Sequence, residues 1–272
     1  MRRAVAAIVV AHPDDETLWL SSAIASARRV VFCFGALFER PRDSRARERA
    51  VAAMPLPGLV NLAIPESGAG PALERPIPEL TAAGIRIEDA ATRTRYESNY
   101  VKLFEALRTT LAGFREIYTH NPWGEYGHPE HIQVYRAVAA LQPELRYAIW
   151  FSNYVGGASW ALARRLAGEV RCTERRIVQP DRQMARTLMR VYRQHGAWTW
   201  SRAHRWPAEE TLFCESPIEE PASRRSLSGV WLLDVGRLRA WSPPWPTPRR
   251  RLPLFGQSPG SDGDVHPPPL PR

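Results

Sequence analysis

The sequence predicts an α/β fold, a Rossmann-like, mostly parallel sheet with helices on both faces. Three observations predict it. Short apolar runs rich in β-branched residues alternate with segments of helical periodicity as far as residue 151. The first run breaks off directly into a polar, acidic segment, as a buried strand does where it hands over to a helix at the sheet edge. The chain has 272 residues, 44% hydrophobic and 24% charged, enough for one large domain or a domain with an appendage.

Residues 5–10 (VAAIVV) form the first predicted strand, buried on both faces. Asp14, Asp15 and Glu16 then place acidic groups at the first turn of a helix running to about Ala27, where the helix dipole favours them. Residues 30–34 read as a second strand, 42–54 as a helix and 59–64 as a third strand. Residues 65–88, rich in Pro and Gly, read as a loop with little regular structure. Tyr100, Leu103, Phe104 and Leu107 recur at helical spacing within a helix over 96–111. A strand at 116–119, a helix at 128–141 and a strand at 147–151 follow. Regular patterning weakens after Ser152, apart from a helix at 184–193 and an aromatic segment marked by Trp198, Trp200 and Trp206. From Pro217 onward Pro and Arg accumulate, and 241–272 approaches low complexity, so that end of the chain is expected to be poorly ordered. The expected division is a domain over 1–215 and a Pro/Arg-rich extension over 216–272.

The formal charge is +9 and the isoelectric point about 10.1. Lys102 is the only lysine, and the arginines are spread along the chain beside abundant Ala and Pro. That distribution reads as a compositional preference for Arg with some arginines meeting an anionic substrate, and no nucleic acid is expected as a partner. Cys33, Cys172 and Cys214 are far apart and form no CxxC pair, which supports neither a disulfide framework nor a thiolate metal site and fits a reducing cytoplasm. Met1-Arg2-Arg3 and the apolar run behind it resemble the start of a signal peptide, but the run is short and lacks a small-residue cleavage site. No apolar run reaches the roughly 18 residues of a transmembrane helix.

Two segments carry chemistry. Ala11-His12-Pro13-Asp14-Asp15-Glu16 stands where the first strand ends, and Thr119-His120-Asn121-Pro122-Trp123-Gly124-Glu125-Tyr126-Gly127-His128-Pro129-Glu130-His131 follows another strand and opens a helix. In an open parallel sheet both places lie at the carboxyl edge of the strands, where ligands bind. A catalytic zinc takes three nitrogen or oxygen ligands from protein and keeps a position for water. His12 and Asp15, three apart across a helix N-terminus, can turn to one point, and a His of the second segment completes the set. Asp14 stands beside the ligands, positioned to take the proton of a water that the metal makes nucleophilic. An imidazolium or phenol near the acyl oxygen would stabilise a tetrahedral intermediate.

HPDDE near the N-terminus followed by GHPEH resembles the LmbE/PIG-L family of metal-dependent de-N-acylases. The resemblance spans roughly residues 4–215, with its specificity in the two motifs. It implies a zinc-dependent amidohydrolase removing an N-acyl, expected to be N-acetyl, group from an amino sugar, glycoconjugate or secondary-metabolite intermediate. It implies His12, Asp15 and His131 as ligands of one Zn2+, Asp14 as general base, His128 as the group that stabilises the oxyanion or protonates the leaving group, and Tyr126 as an assisting phenol. Glu130 stands where the family often has Asp. If this acid orients His128, its longer arm shifts the geometry; if it faces solvent, nothing changes.

Other residues near the motifs have plainer readings. Glu16 reads as a helix-start acid or a partner of a ligand, and His120 as structural or supporting. Asn121 and Glu125 either contact a sugar hydroxyl or shape the turn. Arg45, Arg47 and Glu48 read as a solvated helix face with local ion pairs, and the tryptophans as core packing before sugar stacking. Glu209 and Glu210 have no role, and His195, His204 and His266 read as surface residues. Two other functions fit parts of the pattern. One is an iron(II) oxygenase, whose two-His, one-carboxylate set usually has a shorter His–Asp spacing on a β-sandwich. The other is a non-catalytic sugar-binding protein, against which the intact ligand set and Asp14 argue.

Overall fold

The computed structural model describes residues 5–56, 58–70, 78–167, 169–170, 172–201, 204–217 and 232–235. The tail over 241–272, with Arg249, Arg250, Arg251 and His266, lies outside them. The first strand, β1 (Ala6–Val10), is buried along its whole length. It is followed by α1 (Asp15–Trp19), a 3-10 turn over Ser21–Ser26, β2 (Ala27–Ala36), α2 (Pro41–Ala52) and β3 (Leu59–Pro65). A two-residue hairpin, β4 (Leu80–Thr81) and β5 (Gly84–Ile85), precedes α3 (Ala90–Thr110), β6 (Glu116–Thr119), α4 (Pro129–Leu145) and β7 (Ala148–Ser152). Then come β8 (Tyr154–Val155), α5 (Trp160–Leu166), β9 (Glu174–Val178), α6 (Arg182–Gln194), β10 (Glu210–Glu215) and β11 (Leu233–Asp234).

Seven strands form one sheet in the order β3-β2-β1-β6-β7-β10-β9. The five strands from β3 to β7 are mutually parallel, and β10 and β9 extend the sheet antiparallel beyond β7. The chain winds from β1 through β2 to β3, then returns to the other side of β1 with β6. The order therefore reverses between β1 and β6, and the crevice beyond their carboxyl ends is the natural ligand position of such a sheet. Val9 pairs with Thr119, and the Thr119 hydroxyl donates to the Val9 carbonyl at 2.8 Å. The two motif loops thus leave the sheet side by side.

Helices cover both faces. Leu103 and Leu107 of α3 and Ile132, Val138 and Leu141 of α4 pack on one face with Ile117 and Ile149. Leu18 and Trp19 of α1, Ala50 and Val51 of α2, and Leu188 and Tyr192 of α6 pack on the other with Ile8 and Phe32. Each fully buried aliphatic side chain contributes roughly 1.5–3 kcal/mol. Local chemistry sets the helix starts: Pro41 and Pro129 supply a preset φ at the first turn. Asp89 accepts from the Thr92 N–H, and Asp181 from the Met184 N–H.

Several expectations need correction. The helix expected to reach Ala27 ends at Trp19, because Leu20 leaves the helical region (φ −135°) and the serines that follow adopt a 3-10 turn. Ser side chains compete with the helical backbone for hydrogen bonds, and Ser22 is drawn away to Glu210 at 2.5 Å. The loop expected over 65–88 holds the β4–β5 hairpin. Beyond Ser152, where patterning fades, β10 and β9 complete the sheet; β9 (ERRIV) is an almost wholly exposed edge strand without apolar alternation. In the C-terminal extension, Leu233 and Asp234 pair parallel with Tyr154 and Val155. Among the described residues no helix is long and apolar enough to cross a membrane.

Candidate metal centre

The loop after β1 turns sharply. Asp14 has φ 112°, in the left-handed region that non-glycine residues rarely adopt. Its N–H donates to Glu16 Oε2 at 3.1 Å, and Glu16 also accepts from the Tyr192 hydroxyl and from Thr17. Burial drives Glu16 up to about 8 against those hydrogen bonds. The turn brings Asp15 Oδ2 back to the His12 N–H at 2.8 Å, while Asp15 Oδ1 accepts from the Trp19 indole at 3.0 Å.

The loop after β6 is braced from within. Asn121 Oδ1 accepts the Glu125 N–H at 2.8 Å, and its amide donates to the carbonyls of Ser152 and Tyr154. Asn121 therefore shapes the turn, its oxygen and its amide nitrogen both engaged by the backbone of the loop and of the β7–β8 segment. At Gly124 (φ 67°) a Cβ would stand 2.7 Å from the His128 carbonyl, so only glycine fits the bend that starts α4. Glu125, also at positive φ (51°), bonds two imidazoles through one oxygen: Oε2 lies 2.9 Å from His120 Nδ1 and 2.7 Å from His131 Nδ1.

Asp15 Oδ2 is the centre of the cluster. It lies 3.3 Å from His12 Nδ1, 3.3 Å from His131 Nε2 and 3.5 Å from His120 Nε2. Burial alone would raise the Asp15 carboxyl, but the three imidazoles hold it well below the usual range. Adjacent ligand atoms on a tetrahedron with zinc bonds of about 2.0–2.1 Å stand roughly 3.3–3.4 Å apart, so two edges of the His12–Asp15–His131 set have the right length. His131 Nε2 is buried with no hydrogen-bond partner among the described residues, although such nitrogens are normally satisfied. Donor type, spacing and this orphaned nitrogen all fit a divalent cation. Among the described residues, the groups whose ligand atoms all lie within 4.8 Å of one another are His12, His128 and His131; Asp15, His120 and His131; and His12, Glu66 and Glu130, so the candidate ligand sets overlap through His12 and His131.

His120 is held in place by its own bonds. Its Nε2 accepts the Ala11 N–H at 2.8 Å, which requires the lone pair there and leaves Nδ1–H for Glu125. Burial would lower His12, yet the hydrogen bonds it donates to Asp15 and Glu130 and the nearby Glu66 charge raise it to about 10; a metal bound there would displace that proton. Burial and the charges of His131 and His12 hold His128 well below its usual value. Its Nδ1 accepts the Glu130 N–H at 3.3 Å as the helix cap, so the proton of the neutral ring sits on Nε2.

Glu130 neither orients His128 with its carboxylate nor faces solvent. Oε2 lies 2.8 Å from His12 Nε2, and Oε1 accepts from the Ser67 N–H and hydroxyl at 2.6 and 2.8 Å. Arg47, read as part of a solvated face, is instead buried and pairs with Glu66 at 2.5 Å, whose carboxylate is 3.6 Å from His12 Nε2. Arg45 and Glu48 on the same helix are exposed as expected. Position on the apolar side of α2, beside Ala46 and Ala50, is the signal that marks Arg47 out.

Asp14 Oδ2 accepts from the Thr199 hydroxyl at 2.6 Å. Burial, helped by the Asp15 charge, pushes Asp14 up to about 6 against that bond. Tyr126 lies between rings of Trp200 and His128, at 5.5 and 5.8 Å between centroids. Its Cβ rests against Gly156, where any side chain would collide at 2.8 Å. Trp200 and Trp206 are buried, as read, but His204 is buried among them rather than on the surface, 4.8 Å from the Trp206 ring.

The fold defines a mostly parallel α/β sheet with a candidate His/Asp metal centre at its switch point. No family model and no curated protein matches the sequence. Solved structures share the fold. A deacetylase–teicoplanin complex from teicoplanin biosynthesis is 13% identical, with a TM-score of 0.50 over 79% of this chain and 100% of that one. The A40926 pseudoaglycone deacetylase Dbv21 is 13% identical over 80% of this chain and 100% of that one, with a TM-score of 0.43. The conserved protein TT1542 from Thermus thermophilus is 16% identical over 71% of this chain and 80% of that one, with a TM-score of 0.39. At 13% identity the likeness to the first of these is one of fold.

Proposed function

We propose that this chain is a zinc-dependent amidohydrolase of the LmbE/PIG-L type that removes an N-acyl group, most simply acetyl, from an amino sugar or glycoconjugate. The observation that carries the proposal is His131 Nε2, buried, without a hydrogen bond among the described residues and 3.3 Å from the same Asp15 oxygen that approaches His12. The fold shared with a deacetylase crystallised with teicoplanin supports a glycoconjugate substrate. The buried, unpaired cysteines are compatible with a cytoplasmic location.

His12, Asp15 and His131 would hold the metal, which when bound supplies Lewis acidity and a water that is nucleophilic near neutral pH. Thr199 fixes Asp14 Oδ2, leaving Oδ1 to take the water's proton and pass it to the departing amine. A carboxylate raised to about 6 suits that task at neutral pH. His128, neutral and protonated at Nε2, donates to the oxygen that gains charge as the amide carbon becomes tetrahedral. Tyr126, across from His128, is the second donor. Glu125 and Glu130 orient His131 and His12 from behind, fixing which nitrogen faces the metal.

The test is a panel of N-acyl amino sugars, free and carrier-linked, incubated with zinc-loaded protein and assayed for amine release by mass spectrometry. The proposal expects acetate and free amine from at least one, abolished by chelation. Protein that takes up no metal, or a loaded protein that releases amine from none of the panel, would overturn it.

A further inference from the structure

A cleft of about 680 Å³ opens beside the metal centre, lined by Arg190, Arg193, Gln194, Gly196, Trp198 and Trp200. Its aromatic wall is continuous with the site. Thr199, between the two tryptophans, donates to Asp14, and the Trp200 ring stands 5.3 Å from Trp19 and 5.5 Å from Tyr126. The Trp198 indole N–H is tied to the Ser201 carbonyl at 3.1 Å, and its ring packs 6.2 Å from Tyr192. Trp198 is thereby held in one orientation.

The opposite wall is cationic. The sequence of α6 (RQMARTLMRVYRQ) contains no acidic residue. Arg182, Arg186, Arg190 and Arg193 fall at i, i+4, i+8 and i+11, within about 80° of arc on a helix of 3.6 residues per turn. All four are exposed, and none makes an ion pair among the described residues. Elsewhere Arg47, Arg86, Arg108 and Arg176 each meet a carboxylate. Arg190 spends two donors on its own helix, to the Arg186 carbonyl and the Thr187 hydroxyl, which keeps three of the five guanidinium N–H groups for another partner. Arg193 spends none among the described residues.

We infer that this cleft binds an anionic group, phosphate or carboxylate, carried by the acyl-amino sugar, with Arg190 and Arg193 pairing the anion and the half-buried Trp198 bearing the sugar face. A guanidinium fork suits planar or tetrahedral oxyanions, and an indole face suits the apolar face of a sugar ring. The substrate is then a charged glycoconjugate rather than a neutral amino sugar. The inference rests on the hydrolase reading for its substrate scaffold, but its binding claim can be measured separately.

Dissociation constants from tryptophan fluorescence on the full chain, with amine release followed in the same samples, would test it. The probes are N-acetylglucosamine, N-acetylglucosamine 1-phosphate and N-acetylmuramic acid. At least one charged sugar should bind about tenfold or more tighter than the neutral one, the size of a charge-assisted contact, and lose that advantage at high salt. An advantage for the phosphate alone assigns a phosphoryl group, and one for both assigns any anion. The double variant Arg190→Gln, Arg193→Gln should bind all three sugars alike, whereas Arg165→Gln on α5, against the other face of the sheet, should keep the preference. Equal affinity for the three probes in the unaltered protein, or a preference that survives in the double variant, would overturn the inference. Arginine-dependent binding without amine release would leave the cleft and remove the hydrolase, and amine release without charge preference would do the reverse.

Discussion

The two loops that meet at the candidate metal centre are built differently. The loop after β1 is short, and its reactive groups are neighbours in sequence: His12, Asp14 and Asp15 are presented by one strained turn at Asp14. The loop after β6 is longer and braced, with Asn121 pinned to three backbone groups and Glu125 holding two imidazoles. One loop concentrates charge; the other supplies the rigid frame against which that charge is positioned. Substitution of Asp14 in the first should act on chemistry alone, whereas substitutions of His131 and Glu125 in the second should act on metal affinity and stability.

The sharpest break in the comparison is His131→Ala. It removes a proposed ligand from the braced loop, and we expect metal content to fall to background, beyond the roughly 100-fold produced by losing a partner behind a ligand; elemental analysis reads it. Next is Asp14→Asn, which should keep metal and fold while turnover falls about 10²–10⁴-fold, the scale of general acid–base catalysis. Near-normal turnover on a true substrate would remove Asp14 from the reaction. Glu125→Gln should weaken metal binding about 10–100-fold and lower the melting temperature, because one carboxylate oxygen serves two buried rings. If it instead left metal affinity untouched and reduced only kcat, the division between the loops would be wrong.

Thr199→Val is subtler. The Thr199 hydrogen bond lowers Asp14 from the value that burial would set. If the deprotonated form is the active one, turnover falls as pH drops below about 6. Without the bond the Asp14 pKa rises further, so that fall moves to higher pH in the variant, while turnover on the alkaline side of it stays within a few-fold. A pH–rate profile measures it. Smallest of all should be the effect of ending the chain at residue 239, which keeps β11 against β8 and leaves both loops intact. Turnover within about twofold of the full chain is expected.

The parallel half of the sheet is legible in the sequence because β1, β6 and β7 are buried and announce themselves as apolar runs between polar turns. The antiparallel extension is not. β9 is exposed and charged, so its strand character comes from pairing with β10, a tertiary fact that local pattern does not carry. The same limit governs the site. His12, Asp15 and His131 lie in compact motifs, whereas the bond of Glu130 to His12 spans 118 residues and that of Thr199 to Asp14 spans 185. Arg47 and His204 pass for surface residues because a charged or polar residue in an uneventful stretch gives no sign that its partners come from elsewhere. Glu125 stands between two roles in the sequence because its second imidazole depends on how the α4 start is folded back.

The most direct test is metal stoichiometry across four single variants, His12→Ala, Asp15→Asn, His131→Ala and His128→Ala, each checked for fold by circular dichroism. His128 competes with Asp15 for a place in the set, since His12, His128 and His131 also bring ligand atoms within 4.8 Å. The account predicts about one divalent ion per chain in the unaltered protein and in His128→Ala, with loss or severe weakening in the other three. Loss of metal in His128→Ala with retention in Asp15→Asn would contradict it.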